Sequence, residues 1–223
     1  MPGVKAREEL TEARRTQILE AAVAVIGERG LCDTRIADIA ARAGTSSGLI
    51  VYYFGTRDRL LAAALAYSEE RFYEATAQDL AQLSTATDKL VRLIELSCSA
   101  GPAGEGNWLD EWVLWLDMWA RSPRDPDVAR DREVMDRRWR DTVAAIVREG
   151  QAGGEFRLVD PDEFALRLSA LSDGLAIQVI LNDPGVSPAK MFEICLSTAA
   201  SDLGFAPPAR ARVRGGRKKA AAR

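Results

Sequence analysis

The 223-residue chain contains no histidine. That absence excludes His-based catalytic triads, most zinc sites and the side chain that ordinarily moves a proton near neutral pH. An enzyme built on this sequence would work with carboxylates, lysine or cysteine alone. Cysteine is scarce as well: Cys32, Cys98 and Cys195 are scattered without metal-ligand spacing. An odd, sparse count suits small buried hydrophobes in a reducing cytosol better than a disulfide framework. The segment GPAGEGN at 101–107 has no phosphate-loop spacing, Cys98 has no histidine partner, and the carboxylates show no distinctive pairing. No enzyme, resident metal or cofactor is therefore expected. Long apolar runs are missing too: none nears the roughly 20 residues that span a bilayer. The polar start MPGVKAREEL is not a signal peptide. The expectation is a soluble, cytoplasmic protein without membrane contact.

Charge is unevenly spread. Residues 1–57 hold eight basic and seven acidic side chains. The tail 208–223 holds seven basic residues (Arg210, Arg212, Arg214, Arg217, Lys218, Lys219, Arg223) and no acid. The intervening 58–207 carries 15 basic against 26 acidic side chains. Phosphate repels such an acidic body, so any DNA contact must come from the near-neutral start or the basic tail. The tail has too few large apolar residues to fold and is expected to be disordered. It reads either as an incidental solubilising extension or as a nonspecific phosphate-binding arm.

Strand-like alternation and internal repeats are absent, and helical periodicity runs throughout. Ile18, Ala22, Val25 and Ile26 make one face of a first helix, which Gly30 ends as its C′ residue. Ile36, Ile39, Ala40 and Ala43 line a short second helix, for which Thr34 is the best N-cap candidate. A third helix follows Gly44 from about Ser46 to Tyr53. Thr56 can cap a fourth helix starting at Arg57, with Leu60, Leu61, Ala64 and Tyr67 inward. Further periodic segments lie near 87–99, 107–121, 127–149, 161–182 and 187–203, separated by breaks rich in Gly and Pro. The fold class is all-α, with about nine helices.

The stretch 34–57, TRIADIAARAGTSSGLIVYYFGTR, is the most informative in the chain. Two short helices meet at a tight glycine turn, as in a helix-turn-helix whose second helix enters the DNA major groove. Ala40 lets the two helices approach, and Gly44 supplies the turn. Thr45, Ser46 and Ser47 put hydroxyls at a helix N-terminus, where backbone N–H groups also favour phosphate. Gly48 lies within the same helix start. Leu49 is expected to face outward, where it can meet a thymine methyl. Ile50 and Phe54 point back to the core. Tyr52, Tyr53 and Arg57 can reach phosphates. The alternative reading of the stretch is a plain three-helix packing unit, which has no use for a polar TSS turn followed by paired tyrosines.

Ile39-Ala40, Ala43-Gly44, Gly48, Tyr52-Tyr53-Phe54, Arg57 and Leu60 together resemble the DNA-binding headpiece of TetR-family transcriptional repressors. The form SSGLIVYYFGTRDRLL is most similar to the BetI-like branch, which regulates choline and betaine metabolism. Three positions depart from the family pattern. Arg35 stands where Ser or Thr is usual, moving the expected cap to Thr34 and offering a phosphate contact of its own. Val51 replaces a commonly phosphate-contacting tyrosine, and Arg57 replaces the usual lysine. The resemblance implies a helix-turn-helix domain at 1–57, a larger helical ligand-binding and dimerisation domain at 58–207, and the basic tail at 208–223. It also implies a homodimer on a palindromic double-stranded DNA operator, released by a small-molecule inducer. A DNA-bound, partner-recruiting or nucleoid-type protein without a ligand is the alternative.

Two features of the body bear on that implication. The segments 161–182 and 187–203 mix large residues (Leu168, Leu171, Leu175, Met191, Ile194) with small ones (Ala170, Ser172, Gly174, Ala176, Thr198, Ala199). They suit a four-helix interface between two subunits, or equally an intrachain core. In NWLDEWVLWLDMWARS, Trp108, Trp112, Trp115 and Trp119 share one helix stripe, bordered by Glu111. A tryptophan stripe is either ordinary core or the wall of a ligand cavity, a cage of indole faces and one carboxylate for an organic cation.

Overall fold

The computed structural model describes residues 2–30, 33–98 and 108–207; the side chains of 2–9, 108–111 and 114 lie outside that description. The described residues form nine α-helices and no strand: α1 (Pro2–Arg29), α2 (Ile36–Arg42), α3 (Ser47–Phe54), α4 (Arg57–Ala81), α5 (Ala86–Cys98), α6 (Trp108–Arg121), α7 (Pro126–Ala152), α8 (Pro161–Ile180) and α9 (Pro188–Leu203). No described helix is long and apolar enough to cross a membrane. The described residues divide between two compact units, bounded as Met1–Ala75 with Ala103–Asp136, and Thr76–Pro102 with Arg137–Arg223. Helices α4 and α7 each run from one unit into the other.

In the first unit, the stripe Ile18, Ala22, Val25 and Ile26 of α1 is buried with Ile39, Ala40, Ile50, Phe54, Leu60, Leu61 and Ala64. Met118 of α6 and Val128 and Met135 of α7 complete this core. Gly30 and Gly44 take left-handed φ values of 77° and 58°, which their lack of a Cβ permits. At Gly44 the turn is a Schellman motif: Gly44 N–H donates to the Ala41 carbonyl at 3.3 Å and Thr45 N–H to that of Ala40 at 2.9 Å. The cap expected of Thr34 is not made. Arg35 occupies the N-cap of α2 and makes no side-chain cap bond. Thr34 is 1% exposed, and its hydroxyl donates to the Gly30 carbonyl at 2.7 Å. A buried hydroxyl must be paired, and the carbonyl just past α1 is the acceptor within reach. Tyr67 is only half-buried, its hydroxyl donating to Glu20 at 2.9 Å.

In the second unit, α5 packs on α9 and α8 on α9. Asp160 and Ser187 cap α8 and α9, each followed by a proline that opens the helix. The α7–α8 connection is held tightly. Gly150 accepts N–H bonds from Glu155 (2.8 Å) and Phe156 (3.1 Å), and the Phe156 ring lies over Gly150 and beside Phe205. Glu155 reaches the start of α5 and accepts from the backbone N–H groups of Ala86 (2.8 Å) and Thr87 (2.9 Å).

Candidate nucleic-acid interface and tryptophan helix

The second helix of the turn carries two distinct faces. Ile50 and Phe54 are buried, while Ser46, Ser47, Gly48, Val51 and Tyr52 are exposed, Tyr52 at 80%. Thr45, Leu49, Tyr53 and Arg57 are half-buried, and Arg35 is exposed one residue before α2. The expected residues are therefore grouped around one short helix. Leu49 is less outward than its position suggested: its N–H is held by the Ser46 hydroxyl at 3.2 Å, and its side chain is partly covered. Ser46 is thus the N-cap, so its oxygen is occupied with the helix while Ser47 stays open. Tyr52 and Tyr53 stack edge to face at 5.4 Å, which holds the exposed phenol in place.

Three basic groups around this helix are already engaged. Arg57 Nε donates to the Thr34 carbonyl at 3.0 Å, and its Nη1 lies 3.6 Å from Asp58. Its guanidinium therefore ties the first residue of α4 to the approach to α2. Arg29 pairs with Asp38 at 2.8 Å and Arg42 with Glu28 at 2.5 Å, binding α1 to α2. Sequence reasoning missed Arg15. It lies over the Phe54 ring at 5.0 Å and donates to the Tyr53 carbonyl at 3.4 Å, so it holds the C-terminal end of the exposed helix. Arg15 sits three residues before Ile18, on the buried stripe of α1, and that register was the available signal.

On α6 the indoles cluster as the spacing implied. The Trp112 and Trp119 rings lie 6.2 Å apart and those of Trp115 and Trp119 5.9 Å apart, all tilted. All three are half-buried, and Trp115 packs against the core of the first unit. Met118 takes the fully buried position. The side chains of Trp108 and Glu111 lie outside the described residues, as does the tail 208–223.

The residues weighed for a subunit interface separate into two sets. Leu168, Ser172, Ala176, Met191 and Ala199 are buried within the chain itself. Leu166 (48% exposed), Ala170, Gly174, Ile177 and Leu181 (67%) follow a four-and-three spacing along the other side of α8. A Cβ placed on Gly174 would meet nothing within 4 Å. Thr198 is exposed and Ile194 half-buried on α9.

Comparison with known proteins agrees with these observations. The N-terminal model of bacterial regulatory proteins of the tetR family matches residues 18–64, and that of the BetI-type transcriptional repressor C-terminal domain matches 86–204. The chain is 33% identical over 175 residues to the HTH-type transcriptional regulator BetI of Cronobacter sakazakii, covering 76% of this chain and 80% of that one. With the BetI of Proteus mirabilis it shares 31% over 183 residues, 81% and 87% of the two chains. Among solved structures, a transcriptional regulator from Saccharomonospora viridis in complex with choline superposes with a TM-score of 0.73. It is 37% identical and covers 86% of this chain and 96% of that one. A TetR-family regulator from Rhodococcus sp. gives 0.69 at 26% identity, with 85% and 98% covered.

Proposed function

Because the chain belongs to the TetR family and carries a BetI-type repressor C-terminal domain, we propose that it is a dimeric repressor whose inducer is a quaternary ammonium compound of the choline type. Residues 1–57 read the operator, and 58–207 bind the inducer and the second subunit. Ser47, Gly48 and Leu49 meet base edges, while Arg35, Thr45, Ser46, Tyr52, Tyr53 and Arg57 meet phosphates. The apolar stripe of α8 with Ile194 and Thr198 of α9 forms the subunit contact, and the two-fold axis pairs the two headpieces with a palindrome. The observation that carries the ligand assignment is the cluster of half-buried indoles Trp112, Trp115 and Trp119. Each indole face over a trimethylammonium group contributes ~0.5–2 kcal/mol, and such a cage rejects neutral compounds of the same size. The relative crystallised with choline supports the same chemistry.

The test is a release titration. DNA selected from a random pool by the purified protein is bound, and choline, glycine betaine, acetate and glycerol are added in turn. Choline should raise the melting temperature of the protein and release the DNA; the neutral and anionic controls should do neither. Trp112→Ala with Trp119→Ala should abolish release and leave ligand-free DNA affinity intact. If no quaternary ammonium compound changes either melting or binding, the cage assignment fails. DNA selection without a palindrome would overturn the dimeric operator reading.

A further inference from the structure

The exposed side of α3 carries one residue that neither the base-contacting nor the phosphate-contacting set includes. Val51 is 46% exposed, the most exposed aliphatic side chain of that helix. Ser47, one turn earlier, is exposed beside it, and Gly48 lies about 60° round the helix. A Cβ placed on Gly48 would have the Ser46 hydroxyl oxygen as its nearest neighbour beyond the helix backbone, at 3.9 Å, so the space on that side of Val51 stays open. The Val51 backbone is fixed, its carbonyl accepting the Gly55 N–H at 2.8 Å, and a β-branched side chain in a helix keeps nearly one rotamer. Its methyl groups are therefore held outward in one place. Leu49 lies about 160° away around the helix and is half-buried.

We propose that Val51 reads a thymine in each operator half-site by packing on its C5-methyl, and that Val51 rather than Leu49 makes this contact. An aliphatic side chain neither donates nor accepts a hydrogen bond. It therefore gains nothing from a phosphate oxygen and cannot recognise the N7, O6, O4 or amino groups of the bases. The thymine methyl is the apolar group that the major groove presents, and removing it and the valine from water together is favourable. Ser47 and Tyr52 border Val51 with exposed hydroxyls, which suits a single methyl among hydrogen-bonding base edges rather than a broad apolar partner. A side chain already held in one rotamer also loses little freedom on contact. The inference rests on the assignment of 1–57 to the operator and names one base within it.

The experiment uses the full chain and DNA that it selects from a random pool. Each thymine of the selected site is replaced in turn by deoxyuridine, which removes only the C5-methyl. At one thymine in each half-site the replacement should weaken binding about three- to fivefold, the effect of one methyl group left unburied. Val51→Ser should reduce that penalty to less than about 1.5-fold, whereas Leu49→Ala should keep it whatever its overall affinity. Comparing the two DNAs on the same variant cancels any general loss of affinity. A penalty that survives Val51→Ser, or that Leu49→Ala removes, would overturn the proposal. So would a selected site in which no thymine responds to loss of its methyl. If Leu49→Ala does not fold, the parent and Val51→Ser still decide. A pool that yields no preferred sequence would overturn the operator assignment as well.

Discussion

Replacing Gly150 by alanine tests the packing at the end of α7. A Cβ built on Gly150 would stand 2.2 Å from Cδ2, 2.4 Å from Cε2 and 2.8 Å from Cγ of Phe156, whereas carbon atoms in contact sit about 3.5–4 Å apart. The ring must therefore retreat by more than about 1 Å. It has little room to do so: Phe156 is 5% exposed, its own N–H is fixed to the Gly150 carbonyl, and Phe205 backs it at 5.5 Å. Overpacking of this kind costs about 1–3 kcal/mol, and the gain in helix propensity offsets ~1 kcal/mol of it. The net loss should be up to about 2 kcal/mol, a melting temperature lower by up to roughly 8 °C in thermal denaturation followed by circular dichroism. The cause can be isolated by a double-mutant cycle. Phe156→Ala alone should cost about 3–5 kcal/mol, and on that background Gly150→Ala should be neutral or stabilising by up to ~1 kcal/mol. A single Gly150→Ala variant that melts higher than the parent would refute the packing argument, as would equal effects on both backgrounds.

Two other perturbations probe α3 and its support, and a third probes the start of α5. Ser46→Ala removes the α3 cap and should cost ~1 kcal/mol in thermal unfolding, while Ser46→Asp should keep the cap and lose DNA affinity to phosphate repulsion; DNA binding unchanged by Asp would place Ser46 away from the backbone. Arg15→Met should weaken DNA binding by disordering the end of α3, and a melting temperature and affinity both equal to the parent would show that its contacts with Phe54 and Tyr53 hold nothing. Burial alone would raise the Glu155 carboxyl, but the hydrogen bonds from Thr87 and Ala86 and the charge of Lys89 outweigh it and hold the carboxyl below its ordinary value. A depressed carboxylate contributes stability above its unfolded value of about 4.3 and loses it as pH falls through the folded one. Glu155→Gln should therefore be less stable than the parent by about 0.5–1 kcal/mol at pH 7, and the difference should close below about pH 4 in acid titration of unfolding.

Element order was readable in the sequence because each helix carries a clear apolar stripe and most breaks carry glycine or proline. The helices α2, α3 and α4 begin within a residue of where Ile36, Ser46 and Arg57 placed them, since turn chemistry at Gly44 and Thr56 is local. What could not be read is where long polar side chains go. Thr34 looked like a cap because only its neighbours in sequence were visible; in three dimensions it is buried, and the Gly30 carbonyl claims its hydroxyl. Arg57, expected at phosphate, also donates its Nε–H to the Thr34 carbonyl, a contact 23 residues away that its sequence neighbours do not show. Likewise, the residues of α8 and α9 could not be divided between the intrachain core and an outer face by size alone. Leu168 and Leu171 differ in burial through helix phase against neighbours distant in sequence.

These contacts bear on how specificity can change. An eight-residue helix is too short to hold its shape alone in water, so α3 depends on its surroundings for order. That order comes from Ile50 and Phe54 in the core, the Ser46 cap, and the grip of Arg15 on the carbonyl end. None of these supports needs the side chains of Ser47, Leu49 or Tyr52, which the proposed reading assigns to DNA. Substitutions at Ser47 and Tyr52, both exposed, should therefore alter base preference or affinity with less than about 0.5 kcal/mol of change in stability. Changes at Arg15, Ile50 or Phe54 should lower stability and affinity together. The ratio of the two effects, measured by unfolding and by DNA titration on the same variants, separates a side chain that reads DNA from one that holds the reader in place. If Ser47 or Tyr52 variants lose stability in proportion to affinity, the division between reading and supporting residues is wrong.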